Sequence, residues 1–228
     1  MILSAFRAKG AVLALVIAAS VVAACGGGAA TPGSSGGKAT SDGVPPQAGE
    51  LPEIEIHAAW AWGDAEDLAT LAASADTVFR GKVVAFKGQH PALSPSENTQ
   101  AGGPVPRWAD FPISQFEVRV EKVVTGPLQP GSTVTFEQAG GVQTRPDGTA
   151  VKLVLEQDEL VEPGEKYLFF AKIREDGVLE AAPFARMKVS DDAQLSAGKG
   201  WGNLKALQQL SRLDVDRAER EISAAAGN

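Results

Sequence analysis

The sequence predicts a mainly β fold, either a small antiparallel barrel or a sandwich, with a short helix before the strands and a helical segment after them. Three observations predict it: five to seven short segments of strand-like alternation follow one another without helices between them, turn residues separate these segments, and only the end of the chain has helical spacing. With 228 residues, of which 44% are hydrophobic, the chain has the composition of a folded protein.

The first 24 residues have the pattern of an export signal. Arg7 and Lys9 lie in the first ten residues, which contain no acid, and residues 11–24 form an apolar run interrupted only by Ser20. This run has 14 residues, whereas a helix that spans a membrane needs ~20. We therefore predict that residues 1–24 are a signal peptide.

The end of this segment resembles the lipobox of bacterial lipoproteins. Val22, Ala23 and Ala24, an aliphatic residue and two small ones, directly precede Cys25. The resemblance implies that diacylglycerol is attached to the Cys25 thiol, that the signal is removed before it, and that the protein is lipid-anchored to the cell membrane outside the cytoplasm. Gly26 stands where Asp would resemble an inner-membrane retention signal, so the outer membrane is allowed in a cell that has one.

The segment that follows predicts a tether. In residues 26–50, 11 of 25 residues are Gly or Pro, and Val44 is the only large apolar side chain, so the segment cannot bury enough surface to offset its ordering entropy. Cys25 is the only cysteine, so a lipidated chain has no thiol left for disulfides. The predicted parts are the signal peptide 1–24, the lipidated cysteine and disordered linker 25–50, the barrel domain 51–190 and the C-terminal helical segment 191–228.

The barrel domain is predicted to begin with a short helix and a strand. Asp64 is placed as a helix N-cap, and Leu68, Leu71 and Ala72 follow at helical spacing. Residues 75–86 are rich in β-branched and aromatic residues, which predicts a strand with a bulge or kink at its glycine, Gly81.

Alternation predicts the strands that follow. Phe116, Val118 and Val120 alternate with charged residues, which is typical of a strand with one buried face. Further strands are predicted around 132–137, 151–155 and 166–173, with turns at 126–131 and 162–165 and an Asp-Gly hairpin at 176–177.

The end of the chain has helical spacing. A first piece carries leucines three residues apart, and a second piece follows Asp214, which is placed to cap it. The apolar positions of the two pieces are Leu204, Leu207, Leu210, Val215, Ala218 and Ile222.

Three segments together resemble the netrin-like module of tissue-inhibitor type. They are ADTVFRGKVV, FEVRVEKVVTG and LVEPGEKYLFF, within residues 75–173. The resemblance implies an OB-like, five-stranded barrel. The cysteines of the animal family are absent, and its protease inhibition uses a free N-terminal cysteine amine, which acylation of Cys25 would block. The resemblance therefore predicts the fold and no activity.

The candidate ligand-binding residues are three tryptophans. Trp60 and Trp62 face the same side of an extended segment, and with Trp108 they could form an aromatic ledge that stacks a sugar or a peptide. The alternative is that they pack in the core. Trp108 lies in the proline- and glycine-rich segment 88–112, which is either a functional loop or a disordered one.

The sequence offers no motif for a metal or a cofactor, and we predict neither. His57 and His90 are the only histidines, and their spacing fits no zinc or non-haem iron motif. Acidic groups, such as the pair at 158–159, lack the pattern of a calcium loop. Ser196 and Lys199 form an S-x-x-K motif without the other motifs of the enzymes that use it.

Three functions are compatible with these patterns. We predict a membrane-anchored, non-enzymatic binding module, with an envelope protein or a glycan as its partner. The alternatives are a cell-envelope hydrolase that uses paired carboxylates, and an assembly factor whose C-terminal helix is the partner surface. Nucleic acid is not expected as a partner, because the net charge is −7 and no basic cluster offsets it.

Overall fold

The structure is a computed structural model, and it describes residues 51–56, 66–92, 110–145, 147–155, 158–199 and 201–227. These ranges contain nine strands and three helices. The strands are β1 Glu53–Ile56, β2 Thr77–Pro91, β3 Pro112–Thr125, β4 Thr133–Thr144, β5 Ala150–Leu155, β6 Lys166–Ile173, β7 Leu179–Glu180, β8 Arg186–Val189 and β9 Leu195–Ala197. The helices are α1 Leu68–Ser74, α2 Lys205–Leu210 and α3 Val215–Ala226.

Five of the strands close into a barrel. β2 pairs with β3 and β6, β3 also pairs with β4, and the short β7 pairs with both β4 and β6. All of these pairings are antiparallel except that of β4 with β7. These two are the third and fifth strands of the barrel in chain order, and they run parallel. This closed five-stranded barrel confirms the predicted OB-like fold.

The other strands extend the barrel wall on two sides. β5 pairs with β4, and β1 runs parallel to β5, while β8 and β9 continue the sheet beyond β6. β1, β8 and β9 were not predicted, because three or four residues are too few to show a clear alternation. β9 lies in the segment 191–228, which the sequence assigned to helices.

Aromatic rings fill the barrel. The ring of Phe169 lies 5.0 Å from that of Phe79 and 5.0 Å from that of Phe136, measured between centroids, and all three residues are fully buried. The alternation seen in the sequence points Phe116, Val118 and other residues of each strand into this core. A second core lies on the outer side of the sheet, beneath the helices.

Two of the three helices in the described ranges, α1 and α3, begin at aspartate caps. Asp67 caps α1, and its side chain accepts a hydrogen bond of 2.7 Å from the backbone N–H of Thr70. The predicted cap at Asp64 is therefore wrong by three residues. Asp64 itself lies outside the described residues, and Asp67 directly precedes the first buried leucine, which makes it the better cap. The predicted cap of α3, Asp214, is confirmed, because it accepts from Arg217 N–H at 2.8 Å.

The C-terminal helix is firmly attached to the barrel. Its predicted apolar positions Val215, Ala218 and Ile222 are buried in the core beneath the helices. Glu219 is also buried, accepts a hydrogen bond from Lys122 on β3, and lies 3.5 Å from the Nε atom of Arg80 on β2. None of the helices in the described ranges has the length and apolar character needed to cross a membrane.

Two predicted backbone irregularities are confirmed. The pairing of β2 with β3 shifts register between Arg80 and Gly81, at the glycine that the sequence marked as a bulge. Gly177 has a φ angle of 82° in the hairpin that joins β6 to β7, a conformation that favours glycine.

Candidate functional site

A cleft of about 290 Å³ lies where β6, β8 and β9 face the segment 158–165. Charged side chains dominate its lining. The carboxylates are Asp158, Glu159, Glu162 and Glu165, and the cations are Arg186, Lys188 and Lys199. Two hydroxyl groups, those of Tyr167 and Ser196, also line the cleft. Most of its lining side chains can therefore form hydrogen bonds or ion pairs with a ligand.

The strand register places several of these side chains side by side. Tyr167 on β6 lies opposite Lys188 on β8, and Lys188 lies opposite Ser196 on β9. Because residues directly opposite in a sheet project from the same face, these three side chains form a row on one wall of the cleft. Paired strands hold the row in place.

A buried ion pair forms the floor of the cleft. Arg186 donates to both carboxylate oxygens of Asp158, with 3.0 Å between Nη1 and Oδ2, and only 6% and 5% of the two side chains are exposed. Gln138 Nε2 donates to Asp158 Oδ2 at 3.0 Å. Burial raises the pKa of Asp158, and the attraction of Arg186 only partly opposes this effect.

Two further ion pairs lie nearer to the solvent. Glu165 accepts hydrogen bonds from Tyr167 and Lys188. Burial of Glu165 works against ionisation, but these two donors hold its pKa below the ordinary value. The hydrogen bond to Glu165 also raises the pKa of Lys188, and burial followed by the Glu165 contact raises the pKa of Tyr167.

The outer pair joins Lys199 to Glu159. Lys199 Nζ donates to Glu159 Oε1 at 2.6 Å, and the exposed fractions of the two side chains are 73% and 62%. This hydrogen bond lowers the pKa of Glu159 and raises the pKa of Lys199. Both groups therefore keep their charge at neutral pH while remaining open to solvent.

These protonation states suit binding better than proton transfer. Lys199 shares the cleft with Ser196, but a lysine with a raised pKa stays protonated and does not activate a hydroxyl as a base would. Asp158 has a raised pKa, but its oxygens are already occupied by Arg186 and Gln138. The arrangement presents fixed positive and negative charges to a ligand.

The residues singled out in the sequence are only partly described. Cys25, Trp60, Trp62, Trp108 and His57 all lie outside the described residues, so the aromatic ledge and the lipid anchor stay predictions. So does the role of the segment 88–112, of which residues 93–109 lie outside the described ranges. The remaining tryptophan, Trp201, packs against Phe184 beneath the helices, with ring centroids 5.5 Å apart.

The second histidine lies away from the cleft. His90 Nε2 is 3.0 Å from Glu137 Oε1, and Glu137 also accepts hydrogen bonds from Gln115 and Arg174. In the part of the chain that the structure describes, no group of three or more His, Cys, Asp or Glu residues could hold a metal ion.

Sequence reasoning missed most of the cleft. The sequence shows Asp158 and Glu159 only as an acidic pair without the pattern of a calcium loop, and Ser196 and Lys199 only as an S-x-x-K motif without its companion motifs. One signal was available: Arg186 lies within the otherwise apolar run 184–187, and a charged residue in such a run usually has a buried partner.

Comparison with known proteins gives no family for this chain. No protein-family model matches it, and no curated protein is detectably similar to it. The resemblances to bacterial lipoproteins and to the netrin-like module therefore rest on the sequence motifs alone.

Proposed function

We propose that this chain is a lipoprotein anchored through Cys25 outside the cytoplasm, and that its barrel is a non-enzymatic binding module for an envelope partner. The signal pattern, the lipobox and the linker support the anchor. The charged cleft supports the binding role, because the Lys199–Glu159 pair in its lining keeps both charges at neutral pH while it stays open to solvent.

The exposed ion pair of Lys199 and Glu159 indicates which class of ligand the cleft would bind. An ion pair this exposed contributes little to stability, because water screens both charges, so a ligand can separate it at little cost. A ligand with a carboxylate for Lys199 and an amine for Glu159 would replace one contact with two. We propose that a short peptide or a chain end with both charges binds here.

A peptide with free ends tests this role of the cleft. We expect trialanine to bind the full-length protein in detergent, measured by titration calorimetry, and acetyl-trialanine-amide not to bind. Lys199→Gln should weaken the binding about tenfold, which is the loss of one charge-assisted hydrogen bond. Lys205→Gln, which removes an exposed lysine on α2, is the matched control and should bind as the wild type does.

Three outcomes would contradict the proposed ligand class: equal binding of both peptides, no binding of the free peptide, or an unchanged affinity in Lys199→Gln.

The same experiment tests the alternative function, a hydrolase that uses paired carboxylates. Paired-carboxylate catalysis needs acids whose pKa values differ, and Asp158 differs from Glu159 and Glu165 in this way, although Arg186 and Gln138 occupy its oxygens. Cleavage of bound trialanine, detected by mass, would favour that enzyme over the binding module.

The anchor has its own test. In cells fed labelled palmitate, we expect the wild-type chain to incorporate label and to begin at Cys25 in intact-mass measurements. Cys25→Ala should carry no label and should retain residues 1–24, because the lipidated cysteine is the signal for cleavage. An unmodified thiol on the native protein would contradict the anchor and leave the binding role of the cleft to be judged separately.

The assembly function is less well supported. The apolar positions of the C-terminal helix, which were its expected partner surface, are buried against the rest of the protein. A partner would have to contact the polar face of α3 instead.

A further inference from the structure

A row of cations crosses the outer face of the barrel. Lys166 on β6 lies directly opposite Lys82 on β2, Lys82 lies opposite Arg119 on β3, and Arg119 lies opposite Thr133 on β4. All four residues are exposed. We call Lys166, Lys82 and Arg119 the cationic row, and it is separate from the cleft described above.

The side chains of the cationic row project from the outer face of the barrel into solvent. Gly81 and Val83 on either side of Lys82 are buried, and so are Val118 and Val120 on either side of Arg119. Because side chains alternate along a strand, the lysine and the arginine must project from the opposite face, into solvent. Their backbones belong to paired strands, so the two charges cannot move far apart.

This arrangement is electrostatically unfavourable in the free protein. Like charges directly opposite each other in a sheet are destabilising. Within the part of the chain that the structure describes, neither Lys82 nor Arg119 makes an ion pair. The nearest carboxylates along β3 are engaged elsewhere, since Glu117 lies 3.5 Å from Lys87, and Glu121 lies 3.7 Å from Lys166 and 3.9 Å from Arg80.

The surface beside the two unpaired cations is concave. Lys82 and Arg119 line a depression of about 660 Å³, together with the exposed side chain of Val84 and with Glu121, whose carboxylate faces Lys166 and Arg80. Gly131 and Gly164, each in a turn between strands, border it. A Cβ atom on either glycine would meet nothing within 4 Å, so the rim is open. A small anion could therefore approach both cations at once.

We propose that the cationic row binds a phosphate group, either a monoester or a diester. Arginine offers forked donors that fit two oxygens of a phosphate, and lysine adds a compact charge beside it. Val84 provides an apolar contact for the rest of the ligand. A long polyanion is disfavoured, because the chain carries a net charge of −7 and would repel the parts that extend beyond the row.

The test compares two pairs of substitutions. Inorganic phosphate is titrated into the full-length protein in nonionic detergent at constant ionic strength, with chloride and acetate as reference anions. We expect phosphate to bind selectively and to raise the melting temperature, and Lys82→Gln with Arg119→Gln to lower the affinity at least about tenfold. Lys205→Gln with Arg212→Gln removes the same charges from exposed positions on the helical side and should bind phosphate as the wild type does.

A second readout separates a binding site from ordinary surface charge. Without phosphate at low salt, Lys82→Gln with Arg119→Gln should melt at a higher temperature than the wild type, because the substitutions remove the repulsion within the row. The control pair should not gain in this way. A melting temperature that falls in the row variant would contradict the electrostatic argument.

The source of the phosphate is distinguished by a second ligand. Stronger binding of short-chain phosphatidylglycerol than of inorganic phosphate would identify a lipid headgroup, and the reverse would identify a free phosphate. Either result supports the site if the row variant loses it. The proposal is overturned if neither ligand binds, if acetate binds as well as phosphate, or if the row variant and the control pair bind equally.

Discussion

Replacing Phe169 with alanine is expected to destabilise the protein by about 3–5 kcal/mol, the range for a large aromatic residue removed from a packed core. Phe169 is fully buried, and its ring touches those of Phe79, Phe136 and Tyr167, with centroids 5.0, 5.0 and 5.6 Å away. These rings come from β2, β4 and β6, so the substitution leaves a cavity between three strands of the barrel. Urea unfolding at neutral pH measures the loss.

Phe86→Ala is the matched control for this prediction. Phe86 is 51% exposed and makes one ring contact, with Phe116 at 5.5 Å. Its replacement should cost about 1.5 kcal/mol or less in unfolding free energy. Only one aromatic pair is lost, and about half of the Phe86 side chain is already in contact with water. Equal losses in the two variants would mean that Phe169 is not at the centre of the barrel core.

The barrel could be predicted because its strands carry their pattern locally. Phe116, Val118 and Val120 alternate with charged residues, and that period places each of them in the core before any tertiary contact is known. The closure could not be predicted in the same way. It depends on β7, a strand of two residues that pairs with β4 and β6, and so short a strand has no period of its own.

The cleft could not be predicted because separate parts of the chain build it. Asp158 and Arg186 are 28 residues apart in sequence, and they meet because the segment between β5 and β6 packs against β8. Lys199 reaches Glu159 across 40 residues. Pairs so far apart along the chain follow no fixed spacing that could be recognised in a single sequence. The cationic row is similar, because Lys166, Lys82 and Arg119 become neighbours only through the pairing of β6 with β2 and of β2 with β3.

Arg186→Met is expected to cost about 3–5 kcal/mol at neutral pH, because it leaves the Asp158 carboxylate buried without its cation. Methionine fills much of the space of the arginine stem, so the loss reflects charge more than volume. Combining the substitution with Asp158→Asn should restore about 2 kcal/mol or more of the lost unfolding free energy, because the double variant has no unpaired buried charge. Gln138 keeps a partner in the double variant, because its Nε2 also donates to the backbone oxygen of Glu159 at 3.0 Å.

The pH dependence of Arg186→Met distinguishes a charge effect from a packing effect. Burial already raises the pKa of Asp158 above its ordinary value of 3.8, and loss of Arg186 raises it further. A carboxyl group with a raised pKa in the folded state takes up a proton on acidification before the unfolded chain does, so acid favours folding of the variant at this position. The difference in unfolding free energy between the wild type and Arg186→Met should therefore shrink as the pH falls from 7 toward 4. A difference that stays constant over this range would show that lost packing at Arg186, and not the unpaired Asp158 carboxylate, destabilises the variant.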